Sequence, residues 1–344
     1  FYIVSILLIL TGCSSEDYPF TNKELNHSAY IDGDKVIVNV SLDVPTISEI
    51  QTRSLLELPD YQDMHLYLVE FADNGNPLQN TYITTYEPLA DSEVAGESIV
   101  NYRVMLNATS KSRVLHLIVL PKGETLNIDY GIEASVIPNL KTTNQMPAYW
   151  RRLEFPGGYA TEDSEGIFTP TEDLSKLEHV ALVRNFARIT MTNNAPGFEL
   201  KGFAIVNNPE SGSVAPWNLS ESVFPEFLDE ATQTQKAYSA LSDYKGFAPE
   251  GLTLANTDTG PVVLDDVNPK YLYERPFNSI RHTYVILKGR RTMDSEDSFY
   301  KLDIGKNDSQ GVFRYYGLLR NFSYNITINS VEQKGYGTAS SAAS

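Results

Sequence analysis

VALVRNFARITM, residues Val180 to Met191, is the stretch whose reading decides the fold. Two-residue alternation puts Ala181, Val183, Ala187, Ile189 and Met191 on one face and Val180, Leu182 and Phe186 on the other, the pattern of a strand buried on both sides. Arg184 and Arg188 flank Phe186. Stacking on its ring and pairing with a carboxylate are both open to them, and a structural ion pair is the expectation. Turn-punctuated, β-patterned sequence lies on both sides of this stretch. It therefore predicts two β-domains that meet near the middle of the chain.

Composition agrees with that plan. A chain of 344 residues is too long for one ordinary core and suits two domains. Tyrosine (21) and phenylalanine (15) are abundant and no long run carries an apolar 3.6-residue period, so the expected class is all-β. A formal net charge of −17 would repel a nucleic-acid backbone or an anionic membrane surface, and it suits a soluble protein displayed outside the cell. The single cysteine excludes an intramolecular disulfide framework and any multi-cysteine metal site. No cofactor motif is present in the sequence.

That cysteine has a context of its own. Tyr2 to Leu10 is an apolar run too short to span a bilayer, and it ends at Leu10-Thr11-Gly12-Cys13. The small residues before the cysteine resemble the lipobox of bacterial lipoproteins, in which the signal peptide is removed and the cysteine becomes the lipidated N-terminus. On that reading residues 1–12 are part of a signal peptide, and Cys13 carries lipid that anchors the chain to the outer membrane. Residues 13–34 read as a polar tether, of which about 20 residues would reach at most about 70 Å when extended. Glu16 and Asp17 behind the cysteine resemble the surface-export signals of Bacteroidetes lipoproteins.

Residues 35–177 read as the first domain. Val36 to Val44 alternates without a fault, with Val36, Val38, Val40, Leu42 and Val44 on one face and Asn39, Ser41 and Asp43 on the other, as a half-buried sandwich strand does. Pro45 ends it. A long connection to Gln62 follows, with Arg53 its one basic residue. Further strands are expected at His65 to Phe71, Thr81 to Tyr86, Ile99 to Leu106 and Arg113 to Leu120. Asn139 to Gly158 reads as irregular, lying over one end of the sandwich. The acidic run Glu162-Asp163-Ser164-Glu165-Gly166 lacks the spaced ligands of a calcium loop and reads as a solvated turn.

Residues 178–334 read as the second domain and 335–344 as a flexible tail. Strands are expected at Phe198 to Asn207, Tyr271 to Pro276, Thr283 to Gly289, Phe299 to Ile304 and Leu318 to Val331. A short helix is expected near Glu226 to Tyr238.

Several short motifs, taken in order, resemble the fimbrillins of Bacteroidetes bacteria, which include the subunits of type V pili. They are Leu182 to Ile189, Phe203 to Asn207 with Gly212-Ser213-Val214-Ala215-Pro216, Tyr273-Glu274-Arg275-Pro276, Tyr300 to Asp303, and Leu319-Arg320-Asn321 followed by Tyr324. The resemblance implies two tandem Greek-key, transthyretin-like sandwiches and a structural role in cell-surface fimbriae. It further implies a lipoprotein precursor at the outer-membrane surface that an arginine-directed surface protease cuts in the loop after the first strand. A strand from a neighbouring fimbrial subunit then fills the groove. The matching cut here lies between Arg53 and Ser54, and the displaced strand is Val36 to Val44. Five Val and Leu side chains at ~1.5 to 3 kcal/mol each put about 7 to 15 kcal/mol into that strand, comparable to a domain's whole net stability. The tail offers no alternating apolar face for donation, so the expectation is a tip or accessory subunit that accepts a strand and donates none.

Two other functions compete. An enzyme would need a catalytic constellation, and His27, His65, His116, His179 and His282 show no HExxH spacing, with neither G-x-S-x-G nor a phosphate loop elsewhere. A non-assembling surface lipoprotein could bind host or bacterial glycan or protein, with Trp150, Trp217, Tyr315 and Tyr316 as stacking platforms, although such aromatics more often fill a β-sandwich core.

Overall fold

A computed structural model of the chain describes residues 29–43, 64–72, 77–83, 86–88, 99–121, 123–143, 146–216, 264, 266–274, 282–307, 310–315, 318, 320 and 323–344. The described residues are predominantly strand, and the protein is all-β.

Strands β1 (Tyr30–Asp32) and β2 (Lys35–Asp43) form a hairpin that turns at Gly33, whose φ of 60° is easily adopted only without a side chain. Strand β1 thus lies inside the stretch expected to be a tether. Strand β3 (Met64–Ala72) pairs with β4 (Pro77–Ile83), and β5 (Tyr86–Pro88) pairs with β6 (Ile99–Asn107). The whole of β2 is zipped to β6, from Lys35 opposite Asn107 to Asp43 opposite Ile99. Strand β7 (Arg113–Pro121) lies against β3 along its full length.

After helix α1 (Glu133–Val136) and strand β8 (Lys141–Thr143) comes β9 (Tyr149–Phe155), which pairs with β7. This corrects the expectation that 139–158 is irregular. Consecutive arginines at 151 and 152 break the apolar alternation that marks a strand, yet both are buried, one on each face of β9. Strands β10 (Ala160–Glu162) and β11 (Phe168–Pro170) make a small hairpin. The acidic run is its turn, with Asp163 Oδ1 accepting from the N–H groups of Glu165 and Ile167 at 2.9 and 2.8 Å.

The deciding stretch is not one strand. It divides into β12 (Val180–Ala181), β13 (Val183–Arg184) and β14 (Phe186–Asn193). There follow β15 (Phe198–Val206), β16 (Ser211–Ser213), β17 (Lys270–Tyr273), β18 (Tyr284–Arg291), β19 (Ser298–Asp303), β20 (Gly305–Asn307), β21 (Phe313–Tyr315), β22 (Ser323–Ile328) and helix α2 (Ala339–Ala343). Strand β12 runs parallel to β2, β13 runs antiparallel to β9, and β14 sits between β17 and β22. Twelve residues that alternate like one strand therefore enter three sheets in succession. Alternation reports which side chains are buried, and it is silent about which backbone each residue bonds to.

Four layers carry the cores. The sheet ordered β1-β2-β6-β5 faces the sheet ordered β13-β9-β7-β3-β4 across Val36, Val38, Val40, Leu42, Leu66, Leu68, Leu115 and Leu117. The far side of the second sheet is also covered, where Val69, Ile118 and Trp150 pack with Val136, Ile137, Leu140 and Val214. Sheets β17-β14-β22 and β15-β18-β19 enclose Ala187, Ile189, Phe203, Leu272, Val285 and Leu287. Residues 335–344, expected to be flexible, are docked. Phe299 and Tyr336 exchange both backbone hydrogen bonds at 2.9 Å, Thr338 caps α2, and Ala342 is buried against Val206 and Ile286. The small side chains that read as linker composition are what let α2 lie close on the sheet.

Candidate strand-exchange site and buried junction

The candidate exchange strand is β2. Val36, Val38, Val40 and Leu42 are 0 to 1% exposed and point between the first two sheets. Alternation predicted a half-buried strand. In the fold Ile37, Asn39 and Ser41 on the opposite face are buried as well, and Ser41 Oγ donates to Asn101 Oδ1 at 2.7 Å across the ladder. On the edge away from β6, β1 covers residues 35–37 and β12 covers residues 42–43. One long ladder and two short ones therefore hold the strand. Glu70 of β3 lies on the inner face below this strand, paired with Arg113 Nε at 2.9 Å. Burial pushes its carboxyl up to about 7, against the opposing pull of Arg113 and Lys35. Cys13, Arg53, Ser54 and Val44 lie outside the described residues, as do His27, Trp217, Tyr316 and the helix expected near 226–238.

Four of the short motifs that carried the sequence resemblance meet in space. Asn185, fully buried between β13 and β14, accepts from the Ala148 N–H at 2.9 Å and donates to Thr142 Oγ1 at 2.9 Å, while its carbonyl accepts from the Glu274 N–H at 3.1 Å. Arg320 has no exposed surface. Its Nε donates to Glu274 Oε2 at 2.8 Å, and its terminal nitrogens donate to the carbonyls of Ser213, Val214 and Ala215 at 2.6 to 3.0 Å. Gly212 lies flat on the ring of Tyr273, which stacks on Phe186 at 4.6 Å and donates to the Met146 carbonyl at 3.3 Å. Strand β16 in turn pairs with β8. Asn185, residues 212–215, Glu274 and Arg320 form one buried junction that ties later strands to the segment between α1 and β9. Sequence reading found each fragment and missed that they are partners; a charged Arg and Glu inside apolar surroundings was the signal available.

Among the described residues, His116, His179 and His282 have carboxylate partners from distant positions. His116, wholly buried, has Nε2 3.0 Å from Glu133 Oε1, and Trp150 Nε1 donates to His116 Nδ1 at 3.1 Å. The indole can only donate, so Nδ1 carries no proton and Nε2 donates to Glu133. Arg152 Nε donates to the same carboxylate oxygen at 2.6 Å and its terminal nitrogen pairs with Glu154. Burial of Glu133 opposes ionisation, yet the bonds from His116 and Arg152 prevail and hold its carboxyl down to about 2. This network pins α1 to the second sheet, and it places Trp150 in the core rather than on a stacking platform. His179 lies 3.5 Å from Asp43, and His282 lies 3.0 Å from Asp303 and stacks on Tyr315 at 3.8 Å. Among the described residues no group of three or more His, Cys, Asp or Glu is placed to hold a metal ion.

The arginines of the deciding stretch lie close to one another and among aromatic rings. Arg184 lies over the Tyr149 ring at 5.8 Å, and burial lowers its basicity while Arg188 adds like-charge repulsion. Arg188 is buried, and among the described residues no carboxylate pairs with it.

No family model matches the chain, and no curated protein matches it either. Among solved structures, a fimbrial assembly protein from Parabacteroides distasonis is similar over 86% of this chain and 93% of its own, at 13% identity and a TM-score of 0.44. The tip fimbrial protein Mfa3 from Porphyromonas gingivalis, solved with a C-terminal truncation, is similar over 87% of this chain and 96% of its own, at 10% identity and a TM-score of 0.43.

Proposed function

We propose that the chain is a cell-surface fimbrial subunit that accepts a strand from a neighbouring subunit in place of its own β2. The carrying observation is the burial of Val36, Val38, Val40 and Leu42, each at 0 to 1% exposure, on a strand held by one long ladder and two short ones. Four such side chains at ~1.5 to 3 kcal/mol each contribute about 6 to 12 kcal/mol, so an empty groove would not persist and an incoming strand of the same pattern would be held firmly. In this reading lipid on Cys13 presents the precursor at the outer-membrane surface, and an arginine-directed protease cuts after Arg53 to release β1 and β2 with the anchor. Residues 335–344, docked on β19, do not serve as the donated strand. A strand-accepting subunit is also what a fibre tip requires, and the two tandem sandwich domains divide close to β13 and β14.

Processing of the surface-displayed protein tests the proposal. Arg53→Ala is expected to retain the N-terminal segment and to stay monomeric, whereas the unsubstituted chain yields a new N-terminus at Ser54 and detergent-resistant oligomers. Wild-type processing and assembly of Arg53→Ala would reject the cut site. Assembly with β2 still in place, shown by mass spectrometry of the fibres, would reject strand exchange itself.

A further inference from the structure

Strand β2 meets β6 with Ser41 directly opposite Asn101, and both side chains lie on the face turned away from the core between the first two sheets. Ser41 is 3% exposed and Asn101 2%, and Ser41 Oγ donates to Asn101 Oδ1 at 2.7 Å. On the inward face the same ladder sets Val40 opposite Tyr102 and Leu42 opposite Val100, all four of them buried in that core.

The two faces differ in what they can read from an incoming strand. Val36, Val38, Val40 and Leu42 are similar aliphatic side chains, and a slip of two residues keeps the inward row inward, so the core discriminates poorly between registers. The outward row does not repeat. The same slip moves the hydroxyl away from Asn101 and sets the position of Asn39 or Asp43 in its place. An apolar side chain opposite Asn101 removes the hydrogen bond that this buried carbonyl receives from Ser41, a loss that an exposed pair would make up from water. We propose that Asn101 selects the strand that replaces β2: the neighbouring subunit's donor carries a hydroxyl side chain, serine or threonine, opposite Asn101, with an aliphatic residue before and after it. This inference rests on the strand-exchange reading and specifies the partner that the groove takes.

Threonine and valine share a shape and differ in the hydroxyl, so they separate selection from fit. In the full chain, Ser41→Val is expected to raise the equilibrium constant for urea unfolding by about tenfold over Ser41→Thr, and Asn101→Leu is expected to remove that difference. The second measurement adds nine-residue peptides of the Lys35 to Asp43 sequence, one with Ser41→Thr and one with Ser41→Val, to the surface-processed protein during assembly. The Ser41→Thr peptide is expected to block oligomer formation at about tenfold lower concentration, and the preference is expected to vanish on Asn101→Leu protein. Equal potency of the two peptides overturns selection by Asn101 and leaves strand exchange standing. Failure of both peptides to block assembly overturns strand exchange and the proposal with it. If Asn101→Leu does not fold, equal urea midpoints for Ser41→Thr and Ser41→Val in the otherwise unsubstituted chain overturn the proposal.

Discussion

Glu70 and Glu133 are both 2% exposed, and their surroundings drive them in opposite directions. Glu70 is pushed from 4.5 to about 7 by burial, so its neutral form is the one the fold favours. The sign follows from linkage: the folded state holds this proton more tightly than the unfolded chain, so stability is undiminished below pH 4.5 and falls as pH rises through 7. A shift of that size corresponds to about 3 kcal/mol. Glu133 is lowered from 4.5 to about 2, and its contribution is present above pH 4.5 and lost as pH falls through 2. Glu70→Gln removes the first dependence. Urea unfolding between pH 5 and 8 is expected to show a flatter stability profile for this variant and a gain of about 1 to 3 kcal/mol at pH 8, once the lost Arg113 partner is allowed for. An unchanged slope would mean that the Glu70 carboxylate is ionised throughout this range.

At the scale of elements, the path of β12, β13 and β14 through three sheets depends on side chains that fix each change of direction. Asn185 stands at the second change, and Tyr273 closes over Gly212 beside it. A Cβ on Gly212 would come within 2.0 Å of the Tyr273 ring, which has little room to retreat because Phe186 stacks on it and Met146 accepts from its hydroxyl. Gly212→Ala is therefore expected to cost about 1 to 3 kcal/mol, whereas Gly157→Ala, whose Cβ meets nothing within 4 Å, changes stability little. Paired urea midpoints measure both. Equal midpoints would show that β16 and β17 separate readily and that the junction is looser than its geometry indicates.

For the whole molecule, Arg320 is the residue on which most of the junction converges, with Glu274, Ser213, Val214 and Ala215 all bonded to it. Arg320→Met takes the guanidinium away from buried Glu274 and leaves three carbonyls short of a donor, an expected loss of about 3 to 5 kcal/mol. Scanning calorimetry is expected to show the melting endotherm of this variant broaden or divide, because the strands on either side of the junction no longer report on each other. A single sharp endotherm at the wild-type temperature would show that Arg320 couples nothing. The sequence by itself determined the β class, the positions of β2, β3, β6, β7, β15, β18 and β19 to within a few residues, and the apolar face of β2. A two-residue period of large side chains is a local property, fixed by which atoms must leave water. Only the tertiary structure decided that Val180 to Met191 divides among three sheets, that the YWRRLEF segment of β9 is a central strand, and that Ala342 docks the tail. It also decided which distant groups meet, such as Glu133 with His116 and Arg320 with Glu274. Strand pairing and buried charge pairing are non-local, set by which backbone and which counter-charge the packed chain brings within reach, and no spacing along the sequence encodes them.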